Sequence, residues 1–280
     1  MNLVIQGEEV STPDLKELHR LSRGTAIERI RGEAFRITKA DPSTRPQVAD
    51  HAAKAKLDFG FVEEGRTFAD FRLLAMDMDS TLICIECIDE IADFAGRKAE
   101  VASVTESAMR GEIYWPESLR RRVRALKGLD ESTLVRVYDE RLRFNNGARE
   151  LLAAARRHGV KTLLVSGGFT YFTDRVKREL GFDHAYSNTL DVSAGKLAGT
   201  VSGPLVDASG KAAHVARLTR ELDLTRDQVL AIGDGANDLP MMAEAGTSIA
   251  YHAKPVVKER ATYALDFSGL DGVLNLFPES

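Results

Sequence analysis

Arg72-Leu-Leu-Ala-Met-Asp-Met-Asp-Ser-Thr-Leu82 is the stretch from which the rest of the chain can be read. It opens with an apolar run, Leu73 to Met76, then presents Asp77 and Asp79, then the hydroxyls Ser80 and Thr81. A short unbroken apolar run of this kind is what a strand buried on both faces looks like. Side chains two apart on extended backbone project to the same side. Asp77 and Asp79 should therefore leave the strand end together. Paired carboxylates repel unless a cation or a proton lies between them.

Two later stretches share the design. Val160-Lys-Thr-Leu-Leu-Val-Ser-Gly-Gly168 is a buried-strand pattern ending in a hydroxyl and two glycines. Val229-Leu-Ala-Ile-Gly-Asp-Gly-Ala-Asn-Asp238 is another, ending in Gly-Asp-Gly and then Asp238. Helical patterns separate the three. In an open α/β sheet the ligand crevice lies at the carboxyl ends of the strands. That places Asp77, Asp79, Ser166, Asp234 and Asp238 around one pocket.

The 280 residues suit one large domain or two smaller ones, and 44% hydrophobic residues suffice for a substantial core. A net charge of −4 argues against a nucleic-acid or polyanion binder, so an anionic substrate would be held by local cations. Two cysteines make no disulfide framework. The absence of an 18-residue apolar run and of a basic, apolar leader makes a cytoplasmic protein the expectation.

Residues 1–66 read as a small separate unit. Leu3 to Ile5 suggest a strand, Ser11-Thr-Pro-Asp14 opens a helix with Pro13 in its first turn, and Ala26 to Ile30 and Glu33 to Ile37 suggest two strands. Pro46 to Leu57 suggests a helix and Phe59 to Val62 a closing strand. The order β-α-β-β-α-β is the split βαβ, ferredoxin-like pattern, which regulatory domains of the ACT type share. A dimerisation or packing module is the competing role, and a homodimer through this unit is one expectation.

Residues 67–84 and 146–280 carry the parallel-sheet pattern of a Rossmann-like core. Residues 85–145 are dense in helix formers. Ile88, Ile91, Ala92 and Ala95 form a helical stripe before Gly96, and Glu100 to Met109, Pro116 to Leu126 and Ser132 to Leu142 follow as helices. An all-helical insert after the first core strand would lie over the strand ends, as a cap or lid. Further strands are expected at Ala185 to Leu190, Lys196 to Val201 and Thr247 to Ala250.

Four acids around one crevice suggest a hard divalent cation, for which Mg²⁺ is the first choice. Ser166 and the two glycines offer a hydroxyl and open N–H groups for a phosphoryl oxygen, and Lys211, opening a helix, offers a compact cation. These are the parts of phosphoryl transfer. Each has a plainer reading alone: an Asx-turn, a glycine turn, a solvated lysine, a helix cap at Asp238. Their common placement at strand ends favours the functional reading.

Asp77-Met-Asp-Ser-Thr81, Ser166-Gly-Gly168, Lys211 and Gly233-Asp-Gly-Ala-Asn-Asp238 together resemble the four signatures of the haloacid dehalogenase-like phosphatases. Ile85 to Ala92, Ala108 to Glu112, Ser118 to Val123 and Ala250 to Pro255 are similar to the phosphoserine phosphatase branch of that family. The resemblance covers roughly residues 70–275. It implies hydrolysis of O-phospho-L-serine, the last step of serine synthesis, with Asp77 as nucleophile and Asp79 as general acid and base. It implies Mg²⁺ on Asp77, the backbone carbonyl of Asp79, and Asp234, with Asp238 supporting that shell. It also implies Ser166, Gly167, Lys211 and Asn237 on the phosphoryl group, Glu86 on the substrate ammonium, Arg122 on its carboxylate, and Met109 and Trp115 as walls. Trp115 stands where the family commonly has Phe, and Tyr114 precedes it in place of a small or polar residue. The same scaffold acting on another small phosphomonoester, or passing the phosphoryl group to a second alcohol, is the alternative. A binding protein with an inactive core is a further one, opposed by the intact acids. Cys84-Ile-Glu-Cys87 reads as ordinary, partly buried lid cysteines, and His252 as a structural residue.

Overall fold

The computed structural model describes residues 1–109 and 112–279, without the side chains of residues 106, 108 and 109. The side chain of Met109 therefore lies outside the described residues.

The first unit is β1 (Asn2–Gln6), α1 (Thr12–Ser22), β2 (Ile27–Arg31), β3 (Ala34–Ile37), α2 (Arg45–Ala55) and β4 (Asp58–Val62). Its sheet has the order β2-β3-β1-β4 with antiparallel pairs, which is the ferredoxin-like arrangement the sequence order predicts. Ser11 caps α1 by accepting from the Asp14 N–H, and Pro13 sits in its first turn. Leu3 and Ile5 face Leu18, Val48 and Ala52 on one side of the sheet. Val4 and Val62 face the other way, into the core shared with Phe71 and Phe277. The unbroken run Leu3-Val-Ile5 is thus a strand buried on both faces, and the unit packs against the rest of the chain.

The second sheet begins with β5 (Leu73–Met76), all four of whose residues are fully buried. Each such large apolar side chain contributes roughly 1.5–3 kcal/mol by leaving water. The chain then leaves the sheet for α3 (Cys87–Phe94), α4 (Lys98–Met109), α5 (Trp115–Ala125) and α6 (Ser132–Arg136). It returns through α7 (Ala148–Arg157), β6 (Lys161–Phe169), α8 (Thr170–Leu180), β7 (His184–Ser193), β8 (Lys196–Ser202) and α9 (Ala208–Glu221). The last elements are β9 (Val229–Gly233), α10 (Leu239–Ala243), β10 (Thr247–Tyr251), α11 (Pro255–Lys258), β11 (Tyr263–Leu265) and α12 (Val273–Leu276). The sheet order is β11-β10-β9-β5-β6-β7-β8, parallel except for the β7–β8 hairpin. β5 pairs with β6 on one side and β9 on the other, so the strand order reverses there, where an open α/β sheet places its crevice.

The α3–α6 insert leaves and returns beside the end of β5. Its two connections pair with each other: Ile83 bridges Phe144, and the Cys84 N–H donates to the Arg143 carbonyl at 3.0 Å. At its far end the β7–β8 hairpin reaches up to it, where Gly128 N donates to Leu197 O and Leu197 N to Leu129 O, both at 2.8 Å.

Local differences from the expectations have clear causes. β6 continues through Ser166, Gly167 and Gly168 to Phe169, with a register shift between Val165 and Phe169. The helix expected over Ser132 to Leu142 tightens to α6 and then widens, with the Leu142 N–H reaching back to the Val137 carbonyl. β11 was not expected, because Tyr-Ala-Leu carries too little pattern and forms only as an edge beside β10. No helix among the described residues is long and apolar enough to cross a membrane.

Candidate active site

Asp77 follows β5 and is anchored by its N–H to the Ile232 carbonyl of β9 at 3.1 Å. Its Oδ1 accepts from the Met78 N–H at 2.7 Å and lies 2.7 Å from Lys211 Nζ. Lys211 Nζ also donates to Asp238 Oδ1 at 2.7 Å. Asp238 Oδ2 accepts from the N–H groups of Asp234 (3.1 Å) and Gly235 (3.0 Å). Asp238 thus holds the β9 turn and fixes the lysine with opposite oxygens. Asp234 Oδ1 accepts from Thr81 Oγ1 at 2.7 Å.

Asp79 turns to the other side. Its Oδ1 accepts from the Cys87 N–H at the start of α3 (3.0 Å), and its Oδ2 from Ser166 Oγ (3.2 Å). Ser166 Oγ in turn accepts from the Gly168 N–H at 2.8 Å. A Cβ at Gly168 would lie 2.7 Å from Asp79 Oδ2 and push on that carboxylate. Ser80 adopts a left-handed φ of 57° between the two acids and the cap, and its hydroxyl donates to Glu86 Oε1 at 2.7 Å.

The electrostatics follow from this packing. Burial, then the Asp238 charge, pushes the Asp77 carboxyl well above the usual carboxylate range, against the pull of Lys211. Burial raises Asp79 as well, opposed by the Cys87 N–H. Asp234 is pushed up to about 6, chiefly by burial. Burial works against the charge on Lys211, but Asp238 and Asp77 outweigh it and hold the lysine above its ordinary value.

Asp77, Asp234 and Asp238 place carboxylate oxygens within 4.8 Å of one another. Three acids, Asp77 and Asp238 buried and Asp234 partly so, stand beside one lysine and leave an excess of negative charge, which the raised pKa values of Asp77 and Asp234 express. An all-oxygen donor set of this kind fits a hard divalent cation. Both Asp238 oxygens already have donors, so Asp77 and Asp234 are the carboxylates free to ligate, with Asp238 orienting the set. The Asp79 carboxylate is committed to Cys87 and Ser166, which leaves its backbone carbonyl as the ligand expected from the sequence.

Above these groups lies a cavity of about 530 Å³ lined by Asp77, Asp79, Ser166, Gly167, Lys211, Asp234 and Asn237 from the core. Glu86, Trp115 and Arg122 line it from the cap. The structure thus brings the described residues of the predicted site to one cavity, except Asp238, which is fully buried and reaches it only through its bond to Lys211. Glu86 faces the opening, where solvent reaches it, yet burial among neighbouring atoms and then the Asp79 charge raise its pKa to about 7. Arg122 is held below its ordinary value by burial, against the pull of Asp89, Glu86 and Asp79. Trp115 stands over Gly167, with Cζ2 3.2 Å from where a Cβ would be. Tyr114, by contrast, is 76% exposed and does not line the cavity.

Several contributors were not singled out in the sequence. Asn188 of β7 donates to the Gly167 carbonyl (2.9 Å) and accepts from the Val206 N–H (2.9 Å), bracing the glycine turn against the loop before Lys211. Asn145 donates to the Thr81 carbonyl at 2.7 Å. Asp89, one turn along α3 from Glu86, lines the cavity and supplies the leading charge on Arg122. The signal for Asp89 was present, an acid three residues after Glu86, but the helical stripe explained it equally well. The cysteines are unequal: Cys84 is exposed, whereas Cys87 is buried, with its thiol pushed well up by burial. His252 stands apart from this cavity, its N–H donating to Leu265 O at 2.8 Å and its ring against Tyr251.

Residues 74–243 match the haloacid dehalogenase-like hydrolase family. The chain belongs to the haloacid dehalogenase-like hydrolase family. Residues 3–48 match a domain of unknown function. A protein named phosphoserine phosphatase from Polaromonas sp. is 53% identical over 213 residues, covering 74% of this chain and 90% of that one. A second of the same name, from Albidiferax ferrireducens, is 51% identical over 214 residues, covering 75% and 90%. Among solved structures, a probable phosphoserine phosphatase from Vibrio cholerae superposes with a TM-score of 0.86 at 36% identity, covering 99% of this chain and 86% of that one. A substrate-bound phosphoserine phosphatase complex superposes with a TM-score of 0.69 at 35% identity, over 74% and 98%. The first match takes in nearly the whole chain, the ferredoxin-like unit included, whereas the second spans about three quarters of it.

Proposed function

We propose that this chain is a Mg²⁺-dependent phosphoserine phosphatase of the cytoplasm, converting O-phospho-L-serine and water to L-serine and phosphate as the final step of L-serine biosynthesis. The observation that carries the reading is the pairing of opposite charges on the cap, Glu86 and Arg122, over the acids of the core. A substrate with an ammonium, a carboxylate and a phosphate complements that distribution. The relatives of the same name support it.

Asp77 attacks phosphorus with a carboxylate oxygen, and the bond from phosphorus to the serine oxygen breaks. Its Oδ1 already takes donors from Met78 N and Lys211, so Oδ2 is the oxygen presented to substrate. Asp79, with a raised pKa, gives its proton to the departing alkoxide, leaving serine and an aspartyl-phosphate on Asp77. Asp79 then takes a proton from water, the water oxygen attacks phosphorus, and the bond to Asp77 breaks to release phosphate. Ser166, Gly167, Lys211 and Asn237 hold the phosphoryl oxygens through both steps. Mg²⁺ bound on Asp77, the Asp79 carbonyl and Asp234 would neutralise phosphoryl charge. Glu86 pairs with the ammonium, Arg122 with the carboxylate as a two-pronged donor, and Trp115 walls the substrate on one side.

Phosphate release from O-phospho-L-serine, O-phospho-L-threonine and an uncharged phosphomonoester, each with Mg²⁺ and with EDTA, tests this. A strong Mg²⁺-dependent preference for phosphoserine is expected. Equal rates on all three would keep the phosphatase and discard the Glu86–Arg122 assignment. No activity on any would discard the enzyme.

A further inference from the structure

Ser118 is the fourth residue of α5, one turn before Arg122, and both line the catalytic cavity. Residues four apart on a helix are neighbours on one face. Ser118 is 1% exposed, and its hydroxyl has no hydrogen-bond partner among the described residues. Arg122 Nε is likewise buried without one. A serine within a helix can bond the carbonyl one turn back. Here the Tyr114 carbonyl accepts the ordinary helical bond from the Ser118 N–H, at 3.0 Å, and the hydroxyl makes no bond beside it. Buried polar groups are nearly always satisfied, and two orphans on one turn facing one cavity need an explanation.

The geometry points to Ser118 as a specificity-determining residue, whose hydroxyl joins Arg122 in binding the carboxylate of the amino-acid substrate. This rests on the phosphoserine reading above. Arg122 alone can present a fork of donors to one carboxylate, but its oxygens accept more bonds than a fork supplies. A hydroxyl one turn earlier on the same face approaches the carboxylate from the side. The rotation required of Ser118 is a change of χ1 between staggered wells, which is small compared with moving the helix. The free enzyme then carries unsatisfied donors that substrate alone satisfies. A phosphorylated amine lacking the carboxylate would leave them unpaired, and sites built this way reject such analogues strongly.

The test compares O-phospho-L-serine with O-phosphoethanolamine, which keeps phosphate and ammonium and lacks the carboxylate. Ser118→Ala should lower the ratio of their kcat/KM values about tenfold, with the loss in KM for phosphoserine. Ser118→Thr, which keeps a hydroxyl, should restore most of the ratio. Ser118→Ala should also melt no lower than the parent, since it removes an unpaired buried hydroxyl and alanine favours helix. A ratio within twofold of the parent, or equal losses on both substrates, overturns the assignment. A parent enzyme with no preference for phosphoserine over phosphoethanolamine overturns the carboxylate reading of Arg122 and this proposal with it. A parental preference that survives Ser118→Ala overturns this proposal alone.

Discussion

Gly168→Ala tests how tightly the general acid is held. The added Cβ would lie 2.7 Å from Asp79 Oδ2, 3.0 Å from Ser166 Oγ and 3.4 Å from Met78 Cε. Opening the first contact to an ordinary 3.4 Å displaces the Asp79 carboxylate by about 0.7 Å, the difference of 3.4 and 2.7 Å. Asp79 cannot yield freely, because the Cys87 N–H holds one oxygen at 3.0 Å and Ser166 the other at 3.2 Å. A misplacement of about 1 Å costs catalysis on the order of a hundredfold, so a loss of ten- to a hundredfold in kcat is expected, roughly 1.4–2.8 kcal/mol of barrier. Gly168 has no positive φ, so the backbone accepts alanine and the melting temperature should change little. Steady-state kinetics on Gly168→Ala, Asp79→Asn and the double variant give the readout. The loss should vanish in the Asp79→Asn background, since the displaced proton donor is already gone. A kcat within threefold of the parent would refute the reasoning, as would a loss that multiplies fully in the double variant.

Asp77→Asn should end turnover while the metal-free protein melts at the same temperature or higher, because it removes one buried carboxylate from a close acidic trio; residual turnover removes Asp77 as nucleophile. Asp58 should be a main tie between the ferredoxin-like unit and the core. Its carboxylate is 4% exposed and accepts from the N–H groups of Asp266 (2.7 Å), Phe267 (3.0 Å) and Ser268 (2.8 Å). Asp58→Ala leaves those donors unpaired and should cost about 3 kcal/mol in urea unfolding, with Asp58→Asn intermediate; a change below about 1 kcal/mol contradicts the role. His214 stacks on Tyr186 with ring centroids 4.0 Å apart, and burial, then Arg217, lowers its pKa below 6.5. A base with a depressed folded pKa contributes stability present above the unfolded value and lost as pH falls through the folded one. Melting temperatures should therefore drop more steeply below pH 6.5 in the parent than in His214→Phe, and parallel profiles would exclude the effect.

What the sequence determined by itself was local and periodic. Apolar runs with acids or glycines at their ends located β5, β6 and β9 and the groups that crown them, because a strand's burial is written in consecutive residues. The order of elements in residues 2–62 was enough for the ferredoxin-like arrangement, since short connections leave few ways to pair four strands. Asp77, Ser166 and Asp234 were legible for the same reason, each being the first polar residue after a buried run, and Asp79 follows Asp77 two residues on. Asn188 was not, because its meaning lies in bracing two turns that only the fold brings together. Asp58 and its three amide donors are over 200 residues apart, and nothing in the run Asp-Phe-Gly-Phe-Val announces them. The direction of Asp238, toward Lys211 with one oxygen and the β9 turn with the other, was equally invisible, as were the free hydroxyl of Ser118 and the unequal burial of Cys84 and Cys87. Periodicity fixes which face of an element is apolar; which polar groups end up paired is decided only when distant segments meet and burial makes an unsatisfied group costly.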